Sequence, residues 1–171
     1  MGKLLSVSSL IFATGILFAV QGQTETWHRV YTGSESIIEI DRSSVTFTAI
    51  NVNHQVDFTA AETARVKFRT VFSKPQLLDQ RSGLSYKTSL ETYEFRCAKD
   101  SEVIESENSP AISHLKAVEY RLYAATFLGA DDKMVRQGKA ATDWKPIKSG
   151  TVTEKLGEAA CILIEEKKRT P

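Results

Sequence analysis

Arg65-Val66-Lys67-Phe68-Arg69-Thr70-Val71-Phe72 alternates without a break. Successive side chains of an extended chain point to opposite faces, so Val66, Phe68, Thr70 and Phe72 share one side and Arg65, Lys67 and Arg69 the other. The stretch predicts a strand with one face in a core and one in water, as antiparallel sheets commonly have. A connecting loop is predicted over Ser73–Ser85, which contains Pro75 and Gly83. Beyond it the pattern resumes from Tyr86 to Cys97: Tyr93, Phe95 and Cys97 point one way and Thr92, Glu94 and Arg96 the other, which puts Cys97 on the core side. Upstream, Trp27–Tyr31, Ser36–Ile40 and Val45–Val52 read as three short strands parted by Gly33-Ser34 and by Asp41-Arg42-Ser43-Ser44, both rich in turn formers. Val118–Leu128 is apolar on both faces, as in a strand covered on both sides, and Gly129-Ala130-Asp131-Asp132 turns it into a hairpin with Lys133–Gln137. Glu102–Pro110 is polar and fits neither period.

The period changes near the C-terminus. Thr151-Val152-Thr153-Glu154 is a capping box, in which Thr151 and Glu154 satisfy backbone donors at a helix start. Val152, Leu156, Ala160, Leu163 and Ile164 then recur at helical spacing, and Lys167-Lys168-Arg169 complement the negative end of the helix dipole. The expected fold class is α+β: an antiparallel β-sheet packed with a C-terminal α-helix. No internal repeat, low-complexity tract or interdomain linker interrupts it.

The first residues read differently. Met1-Gly2-Lys3 carries one positive charge, and Leu4–Val20 is an apolar run broken by Ser6, Ser8, Ser9, Thr14 and Gly15. Val20-Gln21-Gly22 suits cleavage after Gly22, with Gln23 nearly as suitable. Residues 1–22 are therefore expected to be a cleavable signal peptide and 23–171 a single domain. A permanent anchor needs roughly 20 predominantly apolar residues. This run is interrupted and is followed at once by Gln23-Thr24-Glu25-Thr26. Later apolar stretches are all cut by charge, so no membrane span is expected in the mature chain. The predicted location is the periplasm, or the cell surface and exterior.

The chain has two cysteines, Cys97 and Cys161. An even pair in an exported chain reads as a disulfide, here one that tethers the helix to the end of the long strand. A metal site or a redox pair is the rival reading; the cysteines are far apart and form no Cys-x-x-Cys motif.

Lys and Arg number 22 against 21 Asp and Glu, a balance without the basic footprint of a nucleic-acid-binding domain. Catalysis would require a nucleophile with its base, a ligand cluster or a phosphate cradle. His28, His54 and His114 are scattered singly, and Asp131-Asp132 sits in a turn that favours Asp for backbone reasons. Gly138-Lys139 lacks the rest of a nucleotide-binding loop. The chain is expected to be no enzyme and to use no metal or cofactor. The polar feature with binding potential is the row Arg65, Lys67 and Arg69, which could meet a protein or polyanionic ligand. The competing reading is a solvated sheet face neutralised across strands by Glu91 or Glu94.

Together these features resemble the surface-adhesin protein E family of bacterial exported proteins. The resemblance rests on Trp27-x-x-Val30, Glu39-Ile40-Asp41 followed by Ser44-Val45, Arg65-Val66-Lys67-Phe68, Tyr93-Glu94-Phe95-Arg96-Cys97, Trp144-Lys145-Pro146-Ile147 before Ser149-Gly150, and the helix holding Cys161. It spans about residues 27 to 165. The chain departs from the family at Lys148-Ser149-Gly150 and in a long Glu102–Lys116 segment. The resemblance implies an antiparallel sheet with a C-terminal helix held by the Cys97–Cys161 bond, and no enzymatic activity. Some relatives are surface adhesins and many others look periplasmic, so an exported binding module is the expected function. The alternative is a structural or stress-related envelope protein with no host ligand.

Overall fold

A computed structural model describes residues 26–49, 62–99, 115–139 and 141–169. The expected signal segment 1–22, His54, His114 and Glu102–Pro110 lie outside the described residues. Six strands run antiparallel, each beside its neighbour in sequence: β1 (Trp27–Thr32), β2 (Ser36–Ala49), β3 (Glu62–Asp79), β4 (Leu84–Lys99), β5 (Leu115–Leu128) and β6 (Met134–Lys139). A short β7 (Lys145–Pro146) pairs with β5 at Glu119 and Tyr120, beyond the Ala124–Leu128 segment that β6 occupies. One helix, α1 (Val152–Arg169), packs against the sheet. The described residues thus form the expected antiparallel sheet packed with a C-terminal helix, but they are mostly β, so the class is weighted further toward strand than the α+β expected.

The alternation of β3 builds the core. Ala64, Val66 and Phe68 are buried and pack with Ile38, Ile40 and Val45 of β2, Phe95 and Cys97 of β4 and Ala117 of β5. The helix supplies Leu156, Ala160, Cys161, Leu163 and Ile164 to the same cluster, at the three- and four-residue spacing read from the sequence. Phe68 meets Phe95 edge-on at 6.1 Å, a geometry that aligns a positive ring edge with a negative ring face. Cys97 and Cys161 are bonded, with Cα atoms 5.8 Å apart and both residues fully buried. A disulfide is compatible with an exported protein.

Gly157 sets how closely the helix approaches the sheet. A Cβ added there would lie 2.5 Å from the Ala117 Cβ and 3.2 Å from both Ile147 Cδ1 and Phe95 Cδ1. Only a residue without a side chain fits this crossing. At the helix start, the Glu154 N–H donates to Thr151 Oγ1 at 3.3 Å, and the Glu154 carboxylate accepts from the Gly150 N–H at 2.7 Å. The capping box therefore forms, with the glutamate reaching one residue further back than the standard motif. Lys167, Lys168 and Arg169 do more than face the helix dipole. Lys167 donates to the Val45 carbonyl, Lys168 pairs with Glu62, and Arg169 lies 3.8 Å from Glu165.

Three sequence expectations need correction. Ser36–Ala49 is one strand, not two. Asp41-Arg42-Ser43-Ser44 forms an irregularity inside it, where Asp41 Oδ1 accepts from the Ser43 N–H at 3.0 Å and from the Ser43 hydroxyl at 2.6 Å. Asx chemistry, which often closes a turn, here holds a bulge. Ser73–Ser85 is not a loop: β3 and β4 continue to Asp79 and from Leu84, with a turn only between them. Pro75 is tolerated because the ladder is interrupted between Val71 and Gln76, where a missing N–H costs nothing. Finally, β5 is not buried on both faces. Its register shifts opposite Arg96/Cys97 and again opposite Thr92/Tyr93, and the second shift breaks the alternation at Tyr123.

Candidate functional site: the open face of the sheet

The helix packs on the face bearing Val66, Phe68 and Phe95, so the side chains of opposite parity line the other face. Strand register places them in transverse rows. One row runs Trp27, Asp41, Lys67, Thr92, Ala124 and Lys139 from β1 to β6. The adjacent row runs Arg29, Glu39, Arg69, Leu90, Thr126 and Gln137. On the other side, Arg65, Glu94 and Arg121 stand in line. The predicted Arg65, Lys67 and Arg69 are therefore brought together with cations from β5 and β6 that lie far away in sequence.

The two predicted arginines are held in ion pairs. Arg65 donates to Glu94 through Nε at 2.8 Å and through Nη2, and Arg69 donates to Glu39 through Nε at 2.8 Å. Lys67 donates its backbone N–H to Ser44 Oγ at 2.9 Å. Glu94 also accepts from Arg121 Nε at 2.5 Å, so one carboxylate bridges two guanidinium groups. Its side chain is 4% exposed, against 45% for Arg65 and 30% for Arg121. Burial pushes the Glu94 carboxyl upward, but the hydrogen bonds and charges of Arg65 and Arg121 outweigh it and hold the pKa below the ordinary glutamate range.

Aromatic rings fix the same cations from the side. Arg65 lies 4.0 Å over the Tyr123 ring and Arg69 4.6 Å over Trp27. Trp144 lies against both Arg96 (4.3 Å) and Arg121 (4.6 Å), while Arg96 also pairs with Glu119 at 2.5 Å. Trp144 is presented by a segment that runs along β5 past the end of β6: Thr142 donates its N–H to the Leu122 carbonyl at 2.9 Å, and Ile147 donates to Val118 at 3.0 Å. Guanidinium groups wedged between carboxylates and rings have lost most of their rotamer freedom before any ligand arrives. Trp27 and Trp144 entered the sequence reading as strand and motif residues, but neither they nor Tyr123 were read as partners of these cations. For Tyr123 the signal was hidden by the β5 irregularity, and for Trp144 it lay outside any long strand.

Of the two glutamates named as neutralising partners, only Glu94 serves. Glu91 pairs in register with Phe68 and so stands on the helix side. Burial raises its pKa, against hydrogen bonds from Tyr93 and Ser89 that favour the charged form. Tyr93 donates its hydroxyl to Glu91 at 3.0 Å, and burial followed by the Glu91 charge raises the Tyr93 pKa.

Hollows mark the surface of the described residues. A cleft of about 410 Å³ is lined by Tyr120, Lys145, Pro146, Lys148, Thr151 and Thr153, beside the helix start where Thr151 Oγ1 accepts from the Glu154 N–H. The second, of about 260 Å³, lies on the open face. Among the described residues no group of three or more His, Cys, Asp and Glu could hold a metal ion, and no helix is long and apolar enough to cross a membrane. No family model, curated protein or solved structure matches this chain.

Proposed function

We propose that this chain is a non-enzymatic exported binding module, akin to surface-adhesin protein E, whose ligand surface is the open sheet face and whose ligand is a protein or polymer rich in negative charge. The observation that carries the reading is the layer of arginines held between carboxylates and aromatic rings. Basic side chains on this face (Arg29, Arg65, Lys67, Arg69, Arg96, Arg121, Lys139) outnumber the acidic ones (Glu39, Asp41, Glu94, Glu119). A guanidinium has five donors. Arg65 gives Nε and Nη2 to Glu94, and among the described residues no partner of Nη1 is seen, so it could meet a second anion. Pre-positioned cations of this kind lower the ordering cost of binding and steer an anionic partner.

The test is retention of the purified mature protein on immobilised heparin as a function of salt. Wild type is expected to elute later than the variant carrying Arg65→Ser, Lys67→Ser and Arg69→Ser, with the difference shrinking as salt screens it. Arg96→Ser, on an exposed pair, gives a second reading with less risk to the fold. Equal elution of wild type and both variants would remove the basic face from the account and favour the envelope-structural role with no external ligand.

A further inference from the structure

We infer that the cleft between the segment before α1 and the start of that helix is a binding site for a phosphomonoester group, carried by a small solute or by a lipid. It lies on the helix side of the sheet, apart from the open face, and stands whether or not that face binds a polyanion. Lys145 pairs in register with Tyr120 of β5, which sets the two side chains beside each other on one face of the ladder. Tyr120 is seated against Phe95 at 6.5 Å, so this wall of the cleft is joined to the core. Two bonds tie down the rest of the segment: the Ile147 N–H donates to the Val118 carbonyl at 3.0 Å, and the Thr151 hydroxyl donates to the Lys148 carbonyl at 2.7 Å. The backbone that carries both lysines is thereby fixed before a ligand arrives.

The cations of the cleft are unneutralised. Among the described residues neither the Lys145 nor the Lys148 ammonium is engaged in an ion pair or hydrogen bond, and none of the described residues lining the cleft is acidic. On the open face, by contrast, Arg65, Arg69, Arg96 and Arg121 each already meet a carboxylate. Glu154, the acidic group of the helix start, accepts from the Gly150 N–H at 2.7 Å and from Ser149 Oγ at 3.2 Å, on the turn rather than in the cleft. Thr151 Oγ1 is occupied by its two bonds, which leaves the hydroxyls of Tyr120 and Thr153 as neutral donors beside the two ammonium ions. Such a set matches a compact dianion with several acceptor oxygens. A phosphomonoester carries about −1.5 to −2 charge at pH 7 and three acceptor oxygens, and lysine serves phosphate as a point charge. A carboxylate or a sulfate ester, with a single charge, would satisfy only one of the lysines. Pro146 and the Tyr120 ring border the space left for the carbon body, and the volume of about 410 Å³ falls within the roughly 300–1,000 Å³ of small-molecule sites.

The experiment titrates the purified mature protein with glycerol 3-phosphate by calorimetry and, separately, measures its binding to phosphatidylcholine vesicles with and without phosphatidate. Lys145→Gln and Lys148→Gln each remove one charge from an exposed position, at little risk to the fold. Each is expected to weaken binding severalfold and the two together about tenfold or more, whereas the Arg65, Lys67 and Arg69 variant should hold glycerol 3-phosphate as wild type does. Affinity for glycerol 3-phosphate should fall as pH is lowered through about 6, where the ester takes up its second proton. Methyl sulfate, a monoanion throughout, should bind at least about tenfold more weakly at neutral pH. Vesicle binding that needs phosphatidate and both lysines, without binding of glycerol 3-phosphate, would assign the group to a lipid headgroup; the reverse would assign it to a free solute. If the double variant holds both probes as wild type does, if wild type holds neither, or if methyl sulfate binds equally well, the phosphomonoester site is overturned.

Discussion

Glu94 is the residue through which the basic face is organised. It is nearly buried, it bridges Arg65 and Arg121, and each of those cations is also packed on a ring. Replacing it with Gln leaves both guanidinium groups without a charged acceptor. The two arginines are part-exposed and partly screened, so the expected loss is about 1–3 kcal/mol at neutral pH, measured by urea denaturation. The pH dependence follows from the depressed pKa. The Glu94 contribution is present above the ordinary glutamate range and lost as pH falls through the lower folded value, so wild type and Glu94→Gln should converge in acid. Glu91 has the opposite sign. Its folded pKa is raised, so its contribution is present in acid and lost as pH rises through that value, and Glu91→Gln should exceed wild type in stability at neutral pH. Equal stability of Glu94→Gln and wild type at pH 7 would mean the bridged network is energetically idle. The alternation of β3 and β4 made Glu94 legible in advance as one of two glutamates that could neutralise the basic row, without saying which cation it meets. Arg121 and Tyr123 were not, because an irregularity in β5 sets which of its side chains face β4, and neither periodicity nor composition records where one falls.

At the level of the element, the helix was the clearest feature of the sequence, yet Gly157 in its middle had no evident purpose there. Taken alone, Gly157→Ala should favour the helix by about 1 kcal/mol. Against the sheet the new methyl meets Ala117 at 2.5 Å, and that backbone-anchored Cβ cannot swing aside. Overpacking costs about 1–3 kcal/mol. The variant is therefore expected to melt at a lower temperature than wild type, and Ala117→Gly in the same chain should recover part of the loss. A Gly157→Ala protein that melts higher would show that the helix can move away from the sheet at little cost. Among the strands, the interrupted ones were misjudged. Asp41–Ser44 and Pro75 carry turn or breaker chemistry, and a strand absorbs both as bulges only because neighbouring strands pair on either side of the interruption.

For the molecule as a whole, the Cys97–Cys161 bond closes a sequence separation of 64 residues and ties the helix to the sheet. In the chain-entropy account such a loop stabilises by roughly 4 kcal/mol, so reduction should lower the melting temperature and release the helix before or together with the sheet. An unchanged melting temperature after complete reduction would show that packing alone holds the helix. The sequence by itself determined the antiparallel strands, the inward and outward faces of β3 and β4, the capped C-terminal helix and the cysteine pair. All of these depend on period, turn chemistry or residue type within a short window. Only the tertiary structure decided that one face of the sheet lies under the helix while the other gathers Arg65, Glu94, Arg121, Trp27, Tyr123 and Trp144 into one layer. That layer is fixed by strand register, by bulges and by the path of the segment before α1, and these are set by the pairing of residues distant in the chain.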